Sequence, residues 1–123
     1  MIKLVYCMHR RPGMTMAEFQ KHWREVHAPL VKKNAAVLGI RRYVQLHTLD
    51  SPFVRELNRQ RGCELEPFDG VAEIWLDSLD GFASVLQSEE GRRAVEELAE
   101  DERRFIDFER SIVIFAEEHP IIA

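Results

Sequence analysis

The chain of 123 residues is 46% apolar and 31% charged, with a formal net charge of −4 at pH 7. That length suits one domain whose core folds without a metal or disulfide staple, and six glycines with five prolines are too few for a disordered or collagen-like chain. The acidic balance, without a basic stripe, argues against a nucleic-acid partner.

Ile2 to His9 is an apolar, β-prone run that ends in the turn signal Arg10-Arg11-Pro12-Gly13. It is too short for a signal peptide or a membrane span, so a cytoplasmic protein with no membrane partner is expected. Thr15-Met16-Ala17-Glu18 is a capping box that opens a helix. Phe19, Trp23, Val26, His27, Leu30 and Val31 then repeat at the spacing of one buried stripe. Pro29 should kink this helix or end its regular part near Ala28. Gly39 precedes a second strand, Ile40 to His47.

Residues 48–68 read as a loop excursion within the single domain 1–123, with Ser51-Pro52 capping a short helix to about Gln60. Asp69-Gly70 opens a third strand, Val71 to Leu76. Asp77-Ser78 caps a helical stretch that Ser88 recaps and that runs on toward Phe105. Arg110 to Ala116 forms the last strand. The order βαβ, insert, βαβ predicts an α+β, ferredoxin-like βαββαβ domain: a four-stranded antiparallel sheet with helices on one face.

Strands one and four are apolar on both faces, and helices cover only one. The exposed apolar face therefore predicts a two-fold homodimer. Glu73, opposite in direction to Ile74, is expected at that interface, paired with an arginine.

Catalytic motifs of the common kinds are absent: there is no G-x-G-x-x-G, P-loop, H-E-x-x-H, G-x-S-x-G or C-x-x-C. Cys7 and Cys63 form neither a metal spacing nor a disulfide framework, and no metal or cofactor is expected. His27 reads two ways, as a core histidine bonded to a carbonyl or as a proton-transfer group in an apolar pocket. Arg41, Tyr43, Gln45 and His47 share one face of strand two, either as a solvated edge or as the wall of a ligand pocket. His22 and His27 lie about 140° apart on an α-helix and so face no common metal. Glu96 to Arg104 reads as a solvated helix face with ion pairs.

Taken in order, six segments carry a resemblance to the EthD family of dimeric α+β barrel proteins. They are Arg10-Arg11-Pro12-Gly13, Phe19-x-x-x-Trp23-x-x-x-His27-Ala28-Pro29-Leu30, Arg41 to Gln45, Phe68 to Trp75, Asp101-Glu102-x-x-Phe105-Ile106-Asp107, and Glu117-Glu118-His119. The resemblance implies a ferredoxin-like protomer whose sheet pairs with its twin, and a pocket between sheet and helices. In the related muconolactone methylisomerases a helix histidine matching His27 and a tyrosine matching Tyr43 line that pocket, while Ile74 replaces their pocket cysteine. The polyketide cyclases of the superfamily use a histidine after the second helix, where this chain has Gly91.

Two functional expectations follow. One is an isomerase, cyclase or dehydratase that works without a cofactor on a small, apolar carbonyl or aromatic compound. In it His27 is the acid or base, Tyr43 the partner of an enol or phenol oxygen, and His47 a second donor. Trp23, Gln45, Ile74 and Arg41 bind the substrate. The other is a non-catalytic accessory protein that holds a hydrophobic metabolite for an oxygenase pathway. A ligand-linked titration of His27 distinguishes them.

Overall fold

Four of the chain's helices start where short polar side chains satisfy free backbone N–H groups. In the computed structural model, which describes residues 1–123, Thr15 and Glu18 form the reciprocal capping box at distances of 3.1 and 3.0 Å. They open α1 (Met16–His22). Ser51 caps α3 (Pro52–Gln60), Ser78 caps α4 (Leu79–Gln87) and Ser88 caps α5 (Glu89–Glu102), each through its hydroxyl. Between them run β1 (Ile2–Met8), α2 (Ala28–Leu38), β2 (Arg42–His47), β3 (Gly70–Leu76) and β4 (Ile112–Ala116). Gly39 ends α2 in the left-handed conformation, where a side chain would strain the backbone. β2 begins two residues later than expected. β4 does too, because a 3₁₀ turn occupies Phe108–Arg110.

The strands form one antiparallel sheet in the order β2-β3-β1-β4. This is the ferredoxin-like α+β arrangement. No helix is long and apolar enough to cross a membrane. Residues 48–68 leave the sheet to form α3, which buries none of its side chains.

One face of the sheet meets the helices. Leu4, Tyr6 and Met8 of β1 point there, beside Ala72 and Ile74 of β3 and Val113 and Phe115 of β4. The core closes on Phe19, Trp23, Phe105, Met8 and Ile106, and each large side chain contributes about 1.5–3 kcal/mol by leaving water. Val26, expected on the buried stripe, is exposed. Gly70 is required by this packing: a Cβ there would stand 2.5 Å from Cζ3 of Trp23.

The other face has no helix over it. Val5 and Cys7 of β1, Ile112 and Ile114 of β4, and Val44 and Leu46 of β2 share it with Trp75. Ile114 is 46% exposed. Glu73 does lie on this face, but its partner is Lys3 at 3.0 Å rather than an arginine. The Lys3 ammonium also bridges to Glu118 and lies over the Trp75 ring. The pairing falls to lysine because antiparallel registry sets Lys3 opposite Trp75, two residues from Glu73 on the adjacent strand and on the same face.

Candidate active site

The segment between α1 and α2 departs from the regular helix. Residues Trp23–His27 form a π-helical turn, in which the Ala28 N–H bonds back five residues to the Trp23 carbonyl. Pro29 has no N–H to continue the usual ladder, and the Gln45 amide donates to the same Trp23 carbonyl at 3.1 Å. The expected disruption near Ala28 is therefore a widened turn, after which α2 continues. Such turns gather at functional sites.

The wide turn has a direct effect on the two histidines. Residues five apart would diverge on an α-helix, yet His22 and His27 both reach Asp101 near the end of α5. His22 Nε2 lies 2.9 Å from Oδ1, and His27 Nδ1 lies 2.8 Å from Oδ2. The reading of these histidines as facing apart is thus corrected by the extra residue in the turn. Asp101 is only 3% exposed, so two imidazole N–H donors meet its need for partners. His27 is buried as well, and its bond runs to a carboxylate instead of a carbonyl.

With Nδ1–H committed to Asp101, the neutral His27 ring presents Nε2 as an acceptor. Nε2 faces Glu102 Oε2 at 3.6 Å. Burial lowers the His27 pKa despite the opposing pull of Asp101. Burial, with the Asp101 charge next, pushes the Glu102 carboxyl up to about 7. The stretch Glu96 to Arg104 is therefore not a uniformly solvated face. Glu96 and Arg103 do pair in solvent, but Asp101 and Glu102 turn inward.

These groups open on a cavity of about 340 Å³ between the sheet and the helices. That is near the lower end of the range for small-molecule sites. Its wall is almost wholly apolar, with His27 and Glu102 as its only members outside the hydrophobic and aromatic residues. Tyr6 and Tyr43 add the hydroxyls. Burial raises both phenol pKa values, so each is a neutral donor at physiological pH.

Of the residues expected at the site, Trp23, His27, Tyr43 and Ile74 line this cavity. Gln45 stands behind it, where its amide donates to the Tyr43 oxygen at 2.8 Å and its carbonyl lies 2.8 Å from His47 Nε2. His47 is stacked on Trp23, with ring centroids 4.6 Å apart, and does not line the cavity. Arg41 lies outside, where its guanidinium pairs with Asp77 at 2.7 Å in solvent. As the strand begins only at Arg42, Arg41 is free to turn to the loop after β3. Sequence reasoning missed Asp101, Glu102 and Tyr6. The steps Ala94, Leu98, Asp101, Phe105 keep an apolar helix spacing and carried the signal for Asp101.

Comparison with known proteins agrees with this fold. The model of the EthD domain matches residues 11–109. A protein named "Decarboxylase" from Claviceps purpurea is 27% identical over 112 residues, which cover 89% of this chain and 77% of its own. A protein of Metarhizium robertsii named "Conidial pigment biosynthesis dehydratase EthD" is 28% identical over 104 residues, 83% of this chain and 71% of its own. Among solved structures, an EthD family protein from Bacillus halodurans superposes with a TM-score of 0.62 at 21% identity, covering 97% of this chain and 99% of that one. A dimeric protein of ferredoxin-like fold from Bacteroides fragilis gives 0.60 at 11% identity, with 95% of each chain covered.

Proposed function

The chain belongs to the EthD domain family, and we propose that it is an acid–base enzyme acting on a small, largely apolar carbonyl or phenolic compound. One observation carries this reading: a buried imidazole held by Asp101 through Nδ1, with its other nitrogen turned into an apolar cavity. His27 Nε2 takes a proton from the carbon beside the substrate carbonyl, and Asp101 stabilises the imidazolium that forms. The Tyr43 hydroxyl donates to the carbonyl oxygen, where negative charge develops. Return of the proton to another carbon gives isomerisation. Departure of a β-hydroxyl, with the proton supplied by the Glu102 carboxyl, gives an alkene and water. Decarboxylation and dehydration, the reactions in the relatives' names, also gain from a donor at the oxygen that gathers charge.

Gln45 and His47 act through Tyr43. The His47 N–H donates to the Gln45 carbonyl, which orients the amide so that its NH₂ donates to the Tyr43 oxygen. The phenolic proton is thereby left for the substrate. Trp23 and Ile74 supply apolar wall.

Exchange of the α-protons of 2-tetralone for deuterium, followed by NMR, tests the reading. The parent protein is expected to accelerate exchange, and His27→Ala to lower the rate by about 10²–10⁴-fold. Equal rates for parent and variant would overturn the role of His27. Binding of the ketone without exchange in the parent would instead support a carrier of hydrophobic metabolites.

A further inference from the structure

We infer that His22 is a positioning residue for this site. Its N–H clamps one oxygen of Asp101, so that the other oxygen stays on His27 Nδ1 and His27 Nε2 stays turned into the cavity, a role that rests on the acid–base reading of that cavity.

An aspartate side chain has two torsions, and the one that turns its carboxylate is loose. A carboxylate bonded through a single oxygen swings, and the imidazole it orients swings with it. In Asp101 both oxygens are engaged: Oδ2 lies 2.8 Å from His27 Nδ1, and Oδ1 lies 2.9 Å from His22 Nε2. An ionised carboxylate only accepts, so both imidazole nitrogens donate. Arg104 Nη1, 3.5 Å from Oδ1 on an exposed side chain, is too distant and too well screened to replace His22. Asp101 is buried, and with His22 removed no other side chain would hold Oδ1.

His22 is itself fixed. Its ring packs against Phe105 with centroids 4.8 Å apart, and His27 packs against the same ring at 5.1 Å. Phe105 is wholly buried, so the two imidazoles and the carboxylate share one support. The π-helical turn brings His22 to this place, where a regular α-helix would carry it away from His27. His22 does not line the cavity. It meets no ligand, and it acts through Asp101 on the direction and tautomer of His27. Such alignment counts heavily in catalysis, since a misplacement of about 1 Å costs about 10²-fold in rate.

His22→Ala and His22→Gln test this role. Glutamine carries an N–H donor near the place of Nε2, and alanine carries none. The His22 side chain is 23% exposed, so water fills the space that alanine leaves. In the exchange of 2-tetralone, His22→Ala is expected to lower kcat by about 10–100-fold and to leave KM within twofold. His22→Gln should return kcat to within about threefold of the parent. Imidazole ¹⁵N NMR should show His27, assigned by its loss in His27→Ala, as the Nδ1–H tautomer in the parent and in His22→Gln, and as a mixture of tautomers in His22→Ala. Parental kcat and tautomer in His22→Ala overturn the inference. Equal loss of kcat in both variants overturns it as well, and so does a rise in KM that accounts for the loss, which would put His22 against the ligand. A parent that exchanges no protons overturns the acid–base reading, and the tautomers then decide alone: an Nδ1–H form retained in His22→Ala refutes the clamp, and a mixture upholds it. Should His22→Ala not fold, His22→Asn, whose amide is too short to reach Asp101, takes its place with the same expectations.

Discussion

Replacing Glu102 by glutamine should make the protein more stable at pH 8, by an amount that follows in order of magnitude from the burial of its carboxyl. The carboxyl has a pKa of about 7 in the folded chain against an ordinary value of 4.5. Between those values the folded state binds more protons than the unfolded one. Stability therefore falls as the pH rises through that window, and the loss is complete above about pH 7. A displacement of that size corresponds to about 3 kcal/mol at about 1.4 kcal/mol per pKa unit. One fifth of the side chain meets solvent, which brings the expected value to about 2–3 kcal/mol. His27 works in the opposite direction, because its lowered pKa costs stability as the pH falls below its ordinary 6.5. The parent's own pH profile mixes the two, whereas the difference between parent and Glu102→Gln isolates the carboxylate. Urea unfolding of both proteins at intervals from pH 4 to 8 gives that difference. Glutamine adds a constant offset from packing, on which the pH-dependent part should rise between about pH 4.5 and 7 and then level. A flat difference, or one that favours the parent as the pH rises, would refute the account of Glu102 as a buried acid.

Two further outcomes follow from the packing of the sheet. Gly70→Ala drives a methyl group into Trp23, which is itself stacked on His47, and should destabilise the protein by about 1–3 kcal/mol; an unchanged urea midpoint would show that Trp23 moves freely. The uncovered sheet face should bring two chains together, so sedimentation of the parent is expected to give about 29 kDa, twice the 14.4 kDa chain. Ile114→Asp, at the centre of the exposed strand β4, should return it to 14.4 kDa, and a parent that sediments at the single-chain mass would contradict this.

What the residues disclose in advance is what depends on near neighbours. Thr15, Ser51, Ser78 and Ser88 cap helices through donors two or three residues away, so their roles are legible from spacing alone. Alternation along β2 likewise puts Tyr43, Gln45 and His47 on one face, and the structure joins them in one hydrogen-bonded chain. The Glu102 carboxylate was hidden for the opposite reason. Within Glu-Glu-Leu-Ala-Glu-Asp-Glu-Arg-Arg the apolar spacing marks Asp101 alone, and only the packing of α5 against the π-helical turn separates Glu102 from Glu96 and Glu100. Arg41 misled because alternation was extended one residue beyond the strand. The wide turn itself depends on Pro29, which is local, and on the Gln45 amide, which is not.

That turn also bears on how chains of this kind can differ in length. Loss of one residue inside a regular α-helix swings everything upstream by about 100° and ruins the buried face. Residues Arg24, Glu25 and Val26 are all exposed, and the turn they form holds one residue more than a regular helix needs to span the same distance. Deleting any one of them would close the wide turn into an ordinary one and bring the histidines from five positions apart to four, still side by side over Asp101. A chain one residue shorter here keeps the same pair of imidazoles on the same carboxylate, and an alignment that forbids a gap at this point would place one of them on the wrong side of the helix.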